Sequence, residues 1–361
     1  MKVAGVPYRS VWRDAERVAI IDQTRLPLQF HTLRLSDCDE IAHAIRSMQV
    51  RGAPLIGASA AYGIALAMSA DASDSSLKSA AESLGNTRPT AVNLRWAIER
   101  MTRRLQTILP PGRAAAAWME AEKIADEDIA SNLAIGQHGL AVIRNIANQK
   151  GKVNVLTHCN AGWLATVDVG TALAPIYLAH DAGIPVHVWV DETRPRNQGL
   201  LTAWELTQHG VPNTLIADNA GGHLMQHGQV DLVIVGADRV TGAGDVCNKI
   251  GTYLKALAAK DCGVPFYAAV PSPTIDWEIA DALRDIPIEE RSSEEVLTAR
   301  GQGADDRVAQ VRIAPDGTLA ANPAFDVTPA RLVTAIITDL GIAPATRKGL
   351  DSLYRGKVTR S

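Results

Sequence analysis

The sequence predicts an α/β protein in which a C-terminal Rossmann-like parallel sheet flanked by helices follows a mainly helical N-terminal domain with a small β element. Three observations carry this. Apolar runs of strand length recur from Val153 onward: VNVLT at 153–157, VHVWV at 186–190, NTLIA at 213–217, DLVIVG at 231–236 and VPFYAAV at 264–270. Helical patterns lie between them, the alternation expected of parallel strands joined by crossover helices. Residues 37–146 instead read as long helices, and the polar stretch NQKGK at 148–152 marks the change of character. The expected domains are therefore 1–147 and 148–361.

The elements follow in order. RVAIID and LQFHTL, within residues 17–33, suggest a small strand pair. CDEIAHAIRSM, then residues 53–70, then AVNLRWAIERMTRRLQTIL, then residues 114–146 read as helices. The Ser-rich SADASDSSLKSAAES at 69–83 reads as a solvated loop. APLIGASAAYGIALAMSA, 53–70, has no charge, but it is short for a bilayer and mostly Ala, Gly and Ser, so a helix buried in protein is expected. Gly136 and Gly139 leave one helix face bare for a substrate or, the more ordinary case, another helix to approach. No G-x-G-x-x-G follows any strand, which gives no support for dinucleotide binding.

Composition narrows the function classes. The 361 residues carry 36 Lys plus Arg against 39 Asp plus Glu, so there is no electrostatic case for nucleic acid or an anionic membrane. Cys38, Cys159, Cys247 and Cys262 are too few and too scattered for a disulfide framework, and a reducing cytoplasm fits them best. The first residues show no apolar core of a secretory signal.

In open α/β sheets ligands bind beyond the carboxyl ends of the strands. Here those ends carry His158-Cys159-Asn160, Asp191-Glu192-Thr193-Arg194, Asp218-Asn219, Asp238-Arg239 and Pro271-Ser272-Pro273-Thr274. Cys159 lies past its strand. It is either a reactive thiol that a following helix start would favour as thiolate, or a small packing residue. His158 and Cys159 raise zinc, but no second ligand pair at the usual spacing accompanies them. Asp238 ends an apolar strand, where desolvation would raise its pKa and suit it to general-acid work; a helix cap or an ion pair with Arg239 are the alternatives. Asn248 and Lys249 are expected in the first turn of a helix, where backbone N–H groups and an ammonium suit a phosphate or a sugar hydroxyl. Arg51-Gly52, before Ala53 and Pro54, form a second candidate anion site at a helix start, and Arg88 sits in another X-Pro loop.

Taken together, RGAPLIGASAAYG, RPTAVNLRWA, THCNAG, DETRP, QGLLTAWEL, GADRV, GDVCNKIGTY and PSPTIDW resemble the methylthioribose-1-phosphate isomerase family over nearly the whole chain. That family is related to the regulatory subunits of the eukaryotic translation initiation exchange factor. The resemblance implies isomerisation of an aldose 1-phosphate, 5-methylthioribose 1-phosphate, to 5-methylthioribulose 1-phosphate in methionine salvage. It further implies a homodimer with no metal or organic cofactor, Cys159 and Asp238 as the catalytic pair, and Arg51, Gly52, Ala53, Arg88, Gln198, Asn248 and Lys249 as substrate-binding residues. Arg196-Asn197, and the turn before Cys247, depart from the commoner family wording. The alternatives are an isomerase for ribose 1,5-bisphosphate or 5-deoxyribose 1-phosphate, with Arg194 or Arg196 meeting a second phosphate, and a non-catalytic regulatory subunit.

Overall fold

Short strands open the chain. The computed structural model describes residues 1–88, 91–279, 281–303 and 307–354. β1 (Lys2–Val3) pairs with β2 (Val6–Pro7), and β3 (Val11–Asp14), β4 (Arg17–Ile21) and β5 (Thr32–Leu35) form an antiparallel sheet. The expected strand pair thus gains a third strand, supplied by residues just ahead of it.

Five helices follow: α1 (Cys38–Arg46), α2 (Ala53–Ala70), α3 (Asp74–Gly85), α4 (Val92–Gln106) and α5 (Pro110–Lys150). α2 is long and apolar enough to cross a membrane, yet fourteen of its eighteen residues are buried, with α1, α3, α4 and α5 packed around it. It is a core helix. The Ser-rich segment, expected to be a loop, is α3. The Ser73 hydroxyl accepts from the N–H of Ser76 at 3.2 Å, and Leu77, Ala80 and Leu84 bury one stripe at helical spacing. α5 runs through the expected boundary and stops at Gly151, whose φ of 74° ends the helix.

The second half is built on β6 (Val153–Thr157), β7 (Val186–Asp191), β8 (Asn213–Ile216), β9 (Leu232–Val235), β10 (Arg239–Thr241), β11 (Val246–Lys249), β12 (Phe266–Ala269), β13 (Ile275–Asp276), β14 (Thr298–Gln302), β15 (Val308–Arg312), β16 (Phe325–Thr328), β17 (Ala335–Thr338) and β18 (Gly341–Ala343). Its helices are α6 (Ala174–Asp181), α7 (Gln198–His209), α8 (Ala220–Gln226), α9 (Thr252–Asp261), α10 (Ala282–Asp285), α11 (Glu294–Leu297) and α12 (Arg347–Tyr354). Seven strands make one sheet in the order β18-β17-β12-β9-β6-β7-β8, parallel except where β18 pairs with β17. Val153 and Val155 of β6 pack with Ile135, Ile176 and Leu206, from α5, α6 and α7, while Leu156 packs with Met225 and Ala256, from α8 and α9. This is the two-sided burial of a parallel sheet. Gly136 and Gly139 face Leu178, Ala174 and Pro175, so the bare face of α5 serves helix packing.

One local expectation fails. Asn248 and Lys249 lie in β11, not in a helix, because they pair with Asp326 and Phe325 of β16; the helix starts later, at Thr252. β13, β10, β11 and β16 form a second, four-stranded sheet beside the first.

Candidate active site

Strand order runs outward in both directions from the β6–β9 pair: β7 and β8 lie on one side, β12 and β17 on the other. Such a switch point leaves a crevice past the strand ends. Cys159 follows β6 and Asp238 follows β9. Both line one cavity of about 1070 Å³, counting its open mouth, together with Arg51, Gly52, Ala53, Arg88, Gln198, Asn248 and Lys249. The nine residues that the family resemblance implies as catalytic or substrate-binding all line this one space, whereas His158, Arg194 and Arg196 do not. Pro89 and Thr90 of the second X-Pro loop lie outside the described residues.

Cys159 adopts φ 68°, a left-handed conformation that costs a non-glycine residue about 1–3 kcal/mol and clusters at functional sites. Two threonines hold it there. Its N–H donates to Thr193 Oγ1 at 2.8 Å, and its carbonyl accepts from Thr202 Oγ1 at 2.8 Å. The expected helix start is not found behind it: the next helical turn is a short one at Trp163–Ala165, and α6 begins at Ala174. Burial pushes the thiol pKa up, against the pull of Lys249 and Arg51. The dipole expectation is therefore corrected, and the resting group is a thiol flanked by cations.

Arg51 precedes α2, whose first turn lines the cavity, and Gly52 at φ 96° lets that turn approach Ala165: a Cβ there would stand 2.4 Å from the Ala165 carbonyl oxygen. The guanidinium donates to Asn160, through Nη2 to Oδ1 and through Nη1 to the backbone carbonyl. Its Nε has no partner among the described residues. Asn160 Nδ2 donates in turn to Glu205 Oε1 at 2.7 Å and to Thr202 Oγ1 at 3.1 Å. Glu205 also accepts from the N–H groups of Trp163 and Leu164 and from the Tyr177 hydroxyl at 3.0 Å. Sequence reasoning passed over Thr202 and Glu205. Their spacing from Gln198, four and seven residues along one helix, was the available signal.

Across the cavity Asp238 has a raised pKa, chiefly from burial, with Lys249, Arg88 and Arg51 opposing. It neither caps a helix nor pairs with Arg239, which binds Asp276 at 3.1 Å. The Lys249 ammonium sits 4.4 Å above the Phe325 ring, and burial lowers its pKa. Arg88 pairs with Glu289 at 3.1 Å at the cavity edge. Gln198 Oε1 is buried without a partner among the described residues. Arg51, Arg88, Arg239 and Lys249, the Cys159 thiol, the Asp238 carboxyl and the Gln198 amide oxygen thus surround a space suited to a phosphorylated polyol.

Metal donors sit just outside. His158, Asp191 and Asp218 hold ligand atoms within 4.8 Å of one another, a grouping the sequence spacing did not reveal. His158 Nδ1 bonds Asp191 Oδ2 at 2.9 Å, Lys255 Nζ lies 3.3 Å from the same oxygen, and Asp218 accepts the N–H groups of Thr193 and Arg194. The Lys255 ammonium already faces the Asp191 carboxylate. Arg194 donates to the carbonyls of Pro195, Val296 and Thr298, and Arg196 pairs with Glu295 at 2.7 Å.

Comparison with known proteins places the chain in a family. Residues 49–345 match the Initiation factor 2 subunit family. The methylthioribose-1-phosphate isomerase of Gluconobacter oxydans is 63% identical over 361 residues, covering 98% of each chain. The crystal structure of 5-methylthioribose 1-phosphate isomerase from Pyrococcus horikoshii superposes with a TM-score of 0.85 at 43% identity, covering 97% of this chain and 96% of that one. That of the translation initiation factor eIF-2B delta subunit from A. fulgidus gives 0.81 at 41%, covering 97% and 100%. The chain therefore belongs to the methylthioribose-1-phosphate isomerases of the Initiation factor 2 subunit family.

Proposed function

We propose that this cavity isomerises 5-methylthioribose 1-phosphate to 5-methylthioribulose 1-phosphate, a step of methionine salvage. The observation that carries the reading is the convergence of Cys159, Asp238, Arg51, Arg88 and Lys249 on one cavity. The anomeric carbon is blocked by phosphate, so the furanose ring has to open before hydrogen moves from C2 to C1. Asp238, whose raised pKa favours the protonated form, donates to the ring oxygen as the C1–O bond breaks. One hydrogen leaves C2 and one arrives at C1, while the C2 hydroxyl proton returns to the enzyme and leaves the ketone. Cys159 acts at C1 and C2 as base or transition-state stabiliser. Arg51, with its unpartnered Nε, the turn at Gly52 and Ala53, Arg88 and Lys249 hold the phosphate, and Gln198 and Asn248 take sugar hydroxyls.

The reading extends to a cytoplasmic homodimer working without metal or organic cofactor, with residues 1–147 as a helical domain and 148–361 as the catalytic domain. The family resemblance supports it. Turnover of purified protein on 5-methylthioribose 1-phosphate, ribose 1,5-bisphosphate and 5-deoxyribose 1-phosphate tests the substrate. The methylthio sugar should be the fastest. Faster turnover of the bisphosphate, or none of the three, overturns the assignment, the latter in favour of a regulatory subunit. Run in heavy water, the same reaction separates the routes: label at product C1 marks an enediol, and its absence a hydride shift.

A further inference from the structure

Glu205 is fully buried on α7, does not line the cavity, and has no part in the chemistry above. Its two oxygens accept from four partners: Asn160 Nδ2 at 2.7 Å, the N–H groups of Trp163 at 2.8 Å and Leu164 at 3.2 Å, and the Tyr177 hydroxyl at 3.0 Å. Gly162 passes so close that a Cβ would stand 1.8 Å from Glu205 Oε2. Every one of these donors belongs to the segment that follows Cys159 or to α6 behind it. Asn160, thus fixed, accepts from Arg51. A chain of polar contacts runs from a buried carboxylate to the cation beside the thiol.

We propose that Glu205 is a positioning residue which, in its ionised form, fixes Asn160 and through it Arg51 and the Cys159 segment in the arrangement needed for turnover. This rests on the isomerase reading above. The ionised form suits the site because three of the four partners are N–H groups that can only donate, and a protonated carboxyl would give up one accepted bond, with the Tyr177 hydroxyl alone able to turn and take its hydrogen. The charged or titratable groups facing Glu205 are Arg51 from the turn before α2 and Tyr177 from α6; Asp168 and His209 reach it only through Tyr177. Burial holds the carboxyl pKa at about 7, so its ionisation changes around neutral pH.

The test is the pH profile of kcat on 5-methylthioribose 1-phosphate. Wild type should lose turnover as the pH falls through about 7. Glu205→Gln keeps the shape without the charge; turnover at alkaline pH should drop by about 10²-fold, and the acid limb should vanish. Tyr177→Phe removes one donor that favours the ionised form, away from the cavity, and should move the limb about one unit upward. That second variant decides the matter if Glu205→Gln does not fold. An acid limb at the wild-type pH in either active variant overturns the proposal and leaves the isomerase reading intact. A wild type that turns over none of the three sugars overturns both.

Discussion

At Cys159 the backbone is held in a conformation it would leave if free. The left-handed φ persists because Thr193 and Thr202, from two other elements, hold its N–H and its carbonyl. Thr193 and Asn197 share positive φ, so the segment between β7 and α7 is bent alongside it. The position of Cys159 beyond a strand was legible, and its conformation was not, since both partners are distant in sequence. Asp238 was legible for a simpler reason: an apolar run of four buried residues ends just short of it, and burial there raises its carboxyl pKa against the pull of Lys249, Arg88 and Arg51. Asp238→Asn should cost about 10²–10⁴-fold in kcat with little change in KM, since the loss falls on proton transfer. Near-normal turnover would remove Asp238 from the role of acid.

Among the elements, α7 braces the cavity wall: Gln198 lines it, while Thr202 and Glu205, on the same helix face, hold the segment that follows Cys159 from behind. Gly162→Ala would drive a methyl into Glu205 and should destabilise the fold by on the order of 2–4 kcal/mol while abolishing turnover. Ser73→Ala, at the start of α3, should cost about 1 kcal/mol in denaturant unfolding and leave kcat unchanged. The strands of the parallel sheet were legible as apolar runs. β11 was not, because its partner β16 lies far along the chain and Asn248-Lys249 before Gly251 imitates a helix start. α3 was hidden by its serines, although Leu77, Ala80 and Leu84 kept the helical period.

Over the whole molecule, one sheet reversal places the ends of β6 and β9 side by side, and the helical N-terminal region closes the crevice with the start of α2. Strand order cannot be read from the runs themselves, so the convergence at their ends was an expectation until the topology joined them. Buried acids leave a signature at this scale. Asp128 and Glu205 have their pKa values pushed up by burial from 3.8 and 4.5 to about 7. A raised folded-state pKa gives stability that is full below the unfolded value and lost as the pH rises through the folded one. The melting temperature should therefore fall between about pH 4.5 and pH 7.5, and a melting temperature that rises across that window would contradict the assignment.

A crystal soaked with the sugar phosphate reports most directly on whether a single ring is worked from two sides. The expected result has the Asp238 carboxyl at the ring oxygen, the Cys159 sulfur at C1 and C2, and the phosphate between Arg51 and Lys249. A ligand bound elsewhere, or seated so that only one of the two reaches its ring, would contradict the account.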